Sequence, residues 1–175
     1  SMLETSDIST TLRMISEEHL DVRTVTLGVN LNGCANPDAR AMTAAVHDRI
    51  RRAAEKLVAT ANAVGARYGV EIVNKRLAIS PASVLLEGHT VDDAVALAKA
   101  LDRAAAEVGV NLLGGFTALV PKGLTQGERT LIESLPRALA ETSRVCASVN
   151  IGTTKAGINA DAVFAVAKQV VAIAA

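Results

Sequence analysis

Aromatic residues are nearly missing: one Tyr, two Phe and no Trp in 175 residues. A module that stacks bases on ring faces needs more of them, beside a basic surface. Here 18 Lys and Arg balance 18 Asp and Glu, giving a formal net charge of +0, and the cations are scattered. Nucleic acid is therefore not an expected partner. No apolar run reaches the roughly 18 residues of a membrane-spanning helix, so no membrane partner is expected either. The start, SMLETSDIST, is polar and acidic and does not read as a signal peptide. Ser1 reads as a remnant of tag removal, with Met2 the native start. Cys34 and Cys146 are the only cysteines and lie far apart. Without a secretory signal they are expected to be free thiols in a reducing cytoplasm. His19, His47 and His89 are isolated, without metal-ligand spacing. The G-x-x-x-x-G-K-S/T phosphate loop is absent, and no cofactor is indicated.

What is present is a chain that is 50% hydrophobic, built from Ala, Val and Leu, and long enough to bury a core as one α/β domain over 1–175. Its apolar periodicity alternates. Residues 7–18 read as a helix and 22–31 (VRTVTLGVNL) as a strand. After the turn NGCANPD, Asn36 and Pro37 open one long helix on Met42, Val46, Ile50, Ala53, Leu57, Ala61 and Val64, ending at Gly69. Residues 70–79 form the second strand and 81–87 a short helix. Thr90 caps another long helix with Asp92 and Asp93 in its first turn, and Gly109 stops it. Strand three covers 110–120. Thr125 and Glu128 form a capping box, and Pro136 reads as a fresh helical start. Strand four covers 144–151, and Asn159 opens a last helix. Repeated βα units imply a mainly parallel sheet with helices outside. The apolar strands suggest that both faces are covered. Val-Asn pairs at 29–30, 73–74, 110–111 and 149–150 fall at different phases of the four strands, so they do not establish a duplication.

Ligands in such sheets bind beyond the C-terminal strand ends. Loop one offers Asn30, Asn32 and Cys34 beside a helix N-terminus, which favours a reactive thiolate; a half-buried cysteine in an Asn-Gly turn is the plainer reading. Lys75 and Arg76 interrupt strand two and point to opposite faces. An inward one needs a carboxylate or an anionic ligand; otherwise both snorkel to water. Gly114 and Gly115 mark a bulge, tight packing or a close ligand. In strand four Cys146, Ser148 and Asn150 share a face, a polar stripe that is costly in a dry interior unless used. Gly152, Thr153, Thr154 and Lys155 read as a helix-entry loop that cradles an anion. The carboxylates read as solvated helix surfaces and caps.

The segments DVRTVTLGVNL, EIVNKRLAISP, ALDRAAAEVGVNLLGGFTALVPKG and LPRALAETSRVCASVNIGTTKAGIN together resemble the uncharacterised prokaryotic family numbered seven-eleven among domains of unknown function, also called uncharacterised protein family two-ten. The resemblance runs from Ile15 to Asn159. It implies a pyruvate-formate-lyase-like fold, the ten-stranded α/β barrel of glycyl radical enzymes made of two five-stranded halves. Family members are more than twice this length, so the chain looks like an N-terminal portion holding most of one half-barrel. The resemblance carries no activity, and no glycyl-radical signature is visible. The last helix, VFAVAKQVVAIAA from Val163, is apolar nearly all round. Either a partner subunit covers it or further residues of a parent protein do.

The expected function is an enzyme or former enzyme that binds a small anionic metabolite at the strand ends, with Cys146 or Cys34 as candidate nucleophile. Asn30, Asn32, Lys75, Arg76, Gly114, Gly115, Ser148, Asn150, Gly152, Thr153, Thr154 and Lys155 are its candidate binding residues. The alternatives are a non-catalytic metabolite-sensing regulator and a homo-oligomeric structural half-barrel.

Overall fold

The computed structural model describes residues 5–17, 24–120 and 123–174. His19, Lys122 and the first two residues of the expected first strand lie outside them. The elements are α1 (Thr5–Ser16), β1 (Thr24–Val29), α2 (Ala39–Ala54), α3 (Leu57–Tyr68), β2 (Asn74–Ile79), α4 (Val91–Glu107), β3 (Leu112–Leu119), α5 (Gln126–Ala140), β4 (Val145–Asn150), the short strands β5 (Gly152–Thr153) and β6 (Gly157–Ile158), and α6 (Ala160–Ala174). One-turn 3-10 segments follow β1 (Asn32–Cys34) and β2 (Ala82–Leu86).

β1 to β4 form one sheet in the order β1-β2-β3-β4, with every pair parallel. Parallel strands added in sequence order, each through a crossover of the same hand, stack their helices on one side. Burial follows that rule. Leu77, Ile79, Leu113, Phe116, Ala118, Val120 and Val145 form a single core with Met42, Val46 and Ile50 of α2, Leu97 and Leu101 of α4, and Leu131 and Ile132 of α5. The opposite face is open: Thr24, Thr26, Gly28, Ala78, Leu119, Cys146, Ser148 and Asn150 are exposed. The expectation that both faces are covered is corrected here. The strands read as continuously apolar because Ala, Gly and Leu also occupy the open side.

Three helix boundaries differ from expectation. The single helix ending at Gly69 is two, α2 and α3, separated at Glu55–Lys56. Neither Gly nor Pro marks that break. Within α2 Ala54, not Ala53, is buried, continuing the four-residue spacing of Met42, Val46 and Ile50, and in α3 Val64 is exposed. Asp38, not Asn36, caps α2 by accepting from the Arg40 N–H at 2.9 Å. Pro136 lies inside α5 rather than opening a helix. It removes a donor from the turn before it, while Leu131, Ile132, Leu135 and Ala138 on both sides are buried and hold the helix continuous by packing.

The caps at Thr90 and Thr125 are capping boxes, with Asp93 and Glu128 as their reciprocal partners. Asp93 titrates below its ordinary 3.8. The main cause is the Thr90 N–H donated to its carboxylate, followed by the Thr90 hydroxyl; proximity to His89 adds to both. A depressed folded pKa means the carboxylate stabilises the fold above its unfolded value, and that stability is lost as pH falls through the lower folded one. Thr90→Ala is expected to cost about 1 kcal/mol at neutral pH and to flatten in part the loss of stability on acidification below pH 3.8, because alanine loses the hydroxyl but keeps the N–H. Urea midpoints across that range check it; parallel wild-type and variant curves would contradict the coupling.

Candidate functional site

The open sheet face is built row by row from the strand register. Thr26, Arg76 and Leu112 are partners across β1, β2 and β3. One two-residue step toward the C-terminal ends, Gly28, Ala78, Gly114 and Cys146 form the next row, across all four strands. Beyond it Thr117 pairs with Ser148, and Leu119 with Asn150. The hydroxyls of Thr117 and Ser148 are 2.8 Å apart. Cys146, Ser148 and Asn150 therefore share a face, as the alternation predicts, and that face is the open one.

The phase of β3 depends on Gly115. The pairing jumps from Gly114↔Cys146 to Phe116↔Ala147, leaving Gly115 as the extra residue of a bulge. Its φ of 114° is a glycine conformation, and its Cα lies against the Ile79 backbone. Of the readings open to Gly114 and Gly115, the bulge and tight packing are the ones observed. The bulge turns Phe116, Ala118 and Val120 into the same core that receives Leu113, and turns Thr117 to the open side.

Within the four strands Arg76 is the one charged residue on this face, since Lys75, paired with Val25, points to the helix side; Arg144 lies two residues before Cys146, just ahead of β4. Lys75 lines a recess with Asn62 and Glu71 there. The Arg76 Nε is buried and has no hydrogen-bond partner among the described residues. An unmade hydrogen bond at a buried donor costs about 1–3 kcal/mol, so a ligand or a covering segment that supplies an acceptor is favoured.

The other candidates are placed differently. Cys34 is 4% exposed and belongs to the hydrophobic core, more deeply buried than the half-buried cysteine of the plainer reading. Asn30 spends its side-chain oxygen on the Asn32 N–H at 2.9 Å. Both are exposed beyond the end of β1. Gly152 to Lys155 do not form a helix-entry loop. They make the first strand and turn of the β5–β6 hairpin, closed by the Ala156 N–H on the Thr153 hydroxyl at 3.0 Å. The N-terminus of α6 is capped by Asn159, whose side-chain oxygen accepts from Ala162 N–H at 3.1 Å. Thr154 and Lys155 are exposed at the hairpin tip. The nearby Asn150 side chain accepts from Gly152 N–H at 3.2 Å.

Sequence reading missed Thr26, Ala78 and Thr117. Their place on the open face follows from register and from the bulge, neither of which a residue pattern displays. It also passed over His89, which is buried: Nε2 lies 3.0 Å from the Asn36 carbonyl, so that nitrogen carries the hydrogen, and its own carbonyl accepts from the Thr130 hydroxyl at 3.3 Å. His89 thus ties the loop before α2 to α4 and α5. Among the described residues no three His, Cys, Asp or Glu gather to hold a metal ion, and no helix is long and apolar enough to cross a membrane. A groove of about 930 Å³ runs between α5 and α6 on the helix side, with Arg129, Glu133, Asp161 and Lys168 among its walls.

These features define an α/β protein with a four-stranded parallel sheet, helices on one face and a polar, cation-bearing surface on the other. The chain belongs to the family described as Uncharacterised ACR (DUF711), whose model matches residues 13–175. It is 49% identical over 162 residues to a UPF0210 protein of Syntrophotalea carbinolica, a match covering 93% of this chain and 36% of the relative. It is 51% identical over 157 residues to a UPF0210 protein of Pelobacter propionicus (90% and 35%). It is also 51% identical over 173 residues to one of Oleidesulfovibrio alaskensis (99% and 38%). The chain thus spans little more than a third of the length of these relatives, in accord with the resemblance read from its strand segments.

Proposed function

We propose that the open sheet face is the inner wall of a pyruvate-formate-lyase-like α/β barrel, of which these four strands are part of one half. The C-terminal strand ends form a mouth that binds a small anionic metabolite. The observation that carries this reading is the open face itself: a parallel sheet is normally covered on both sides, and the side left free here sets threonine, serine, cysteine and an arginine among its Ala, Gly and Leu. Asn30, Asn32, Asn150, Thr154 and Lys155 ring the strand ends. Lys155 supplies the positive charge there, and the carboxamides supply orientation. No acid–base pair is assembled around the mouth among the described residues, so binding comes before catalysis in this reading, and a metabolite sensor serves as well as an enzyme.

The test is thermal unfolding of the chain with inorganic phosphate, acetate or malonate at constant ionic strength. A ligand at a hundred times its Kd stabilises by about 2.7 kcal/mol. At least one anion is expected to raise the midpoint, and Lys155→Ala to reduce the rise. If none shifts it, the metabolite reading falls.

A homo-oligomer is favoured by one further observation. Phe164 and Val171 of α6 are 64% and 71% exposed, an apolar surface that association would cover. Light scattering is expected to give more than a monomer mass, and a clean monomer would remove this reading.

A further inference from the structure

The second row of the open face has a property that the strand-end mouth does not share. Gly28, Ala78 and Gly114 are adjacent across β1, β2 and β3, so the middle of the sheet carries almost no side-chain bulk. A Cβ on Gly28 would meet nothing within 4 Å, and one on Gly114 would come no nearer than 3.9 Å to the Leu77 carbonyl oxygen. The result is a flat trough floor. Arg76 stands in the row on one side, and the Thr117–Ser148 hydroxyl pair in the row on the other. Cys146 closes the end of the floor on β4. Strand spacing and rise put the Arg76 and Cys146 Cα atoms roughly 12 Å apart, which leaves room between their side chains for a molecule of a few heavy atoms.

We propose that this trough is a carboxylate-binding subsite, with Arg76 as the clamp, the Thr117 and Ser148 hydroxyls as donors to the ligand's far end, and the Cys146 thiol beside the bound molecule. The inference rests on the reading that the open face takes an anion, and adds a second subsite in the middle of the sheet, apart from the strand ends.

The chemistry selects the class. Arg76 has a buried Nε without a partner, and a planar guanidinium fork matches a carboxylate with two parallel hydrogen bonds. It is the one charged residue of this face within the four strands, enough for a monoanionic head group. A phosphate dianion wants a second cation or a helix N-terminus, and the helices α2, α4 and α5 all pack on the other side of the sheet. Backbone N–H groups of the inner strands β2 and β3 are directed along the sheet into the strand ladders. A small, flat carboxylate with a hydroxyl or carbonyl at its other end fits what remains.

Cys146 supplies the reporter. It is exposed, whereas Cys34 is buried, so a neutral maleimide should label Cys146 alone in the folded chain, with Cys34 labelling as the sign of unfolding. Acetate and malonate at ten times their Kd are expected to slow Cys146 labelling about tenfold, against chloride at equal ionic strength. Arg76→Gln should abolish the protection. Ala78→Leu, which fills an exposed floor position, should do the same with the arginine intact. Lys155→Ala should leave the protection unchanged.

No protection in the wild-type chain overturns the subsite. So does protection that survives Arg76→Gln, or that chloride matches. Stronger protection by inorganic phosphate than by the carboxylates overturns the assigned class. Anion stabilisation that Lys155→Ala removes and Arg76→Gln does not would leave the strand-end mouth standing and the trough refuted. Carboxylate protection of Cys146 that is indifferent to Lys155 leaves the trough standing whether or not Lys155→Ala lowers the thermal shift.

Discussion

Gly115→Ala is expected to destabilise the protein by about 3 kcal/mol, one of the largest effects of any single-methyl addition to this chain. Two causes add. The residue holds φ at 114°, where an L side chain is strained. The new Cβ would also collide with the Ile79 carbonyl oxygen and fall within 2.5 Å of Ile79 Cγ1. The neighbour obstructs through its backbone, which cannot swing aside as a flexible side-chain end would. Gly114→Ala is the control. Its Cβ has 3.9 Å of clearance, its φ is not in the positive region, and alanine in a strand costs less than glycine does. It should change stability by less than about 1 kcal/mol. Urea denaturation of both variants makes the comparison, and equal effects would mean that the bulge is not at Gly115.

Phe116→Ala is expected to cost about 3–5 kcal/mol, while Leu119→Ala, on the same strand, should cost under about 1 kcal/mol. Phe116 is fully buried in the core; Leu119 is 46% exposed on the open face. The pair tests the phase of β3 directly. Simple alternation from Leu113 would place 115, 117 and 119 inside and 116 outside. The bulge reverses that order for the second half of the strand. If Leu119→Ala proved the costly change, the register between β3 and β4 would be wrong, and with it the position of Thr117 beside Ser148.

The two variants also show why the open face was only half legible in the sequence. Period-2 alternation correctly groups Cys146, Ser148 and Asn150, because β4 runs without interruption. It correctly separates Lys75 from Arg76, because adjacent residues in any strand oppose each other. It fails in β3, where one extra residue changes the parity and the glycine pair signals a bulge without saying which glycine is the odd one. The Gly152–Lys155 segment fails for another reason. A polar loop between a strand and a helix resembles a helix-entry anion site, yet Gly157 at φ 74° lets the chain fold back as a hairpin. The capping of α6 then passes to Asn159.

Local chemistry was enough for much of the rest. The boxes at Thr90–Asp93 and Thr125–Glu128 depend on residues three apart, so the pattern and the interaction are the same thing. The four strands, their order of appearance and the α/β class follow from apolar periodicity, which is likewise local. The family resemblance, too, is a property of the residues in order. Three features could not be read that way, because each is a relation between distant segments. Cys34 is buried because α2 and the segment after β2 close over it. Arg76 is the lone charge of its face within the four strands because β1, β3 and β4 bring neutral residues beside it. The sheet has an open side because sequential parallel crossovers put every packed helix on the other. Side-chain periodicity says that a strand has two faces; only the packing of the whole chain says which of them meets water.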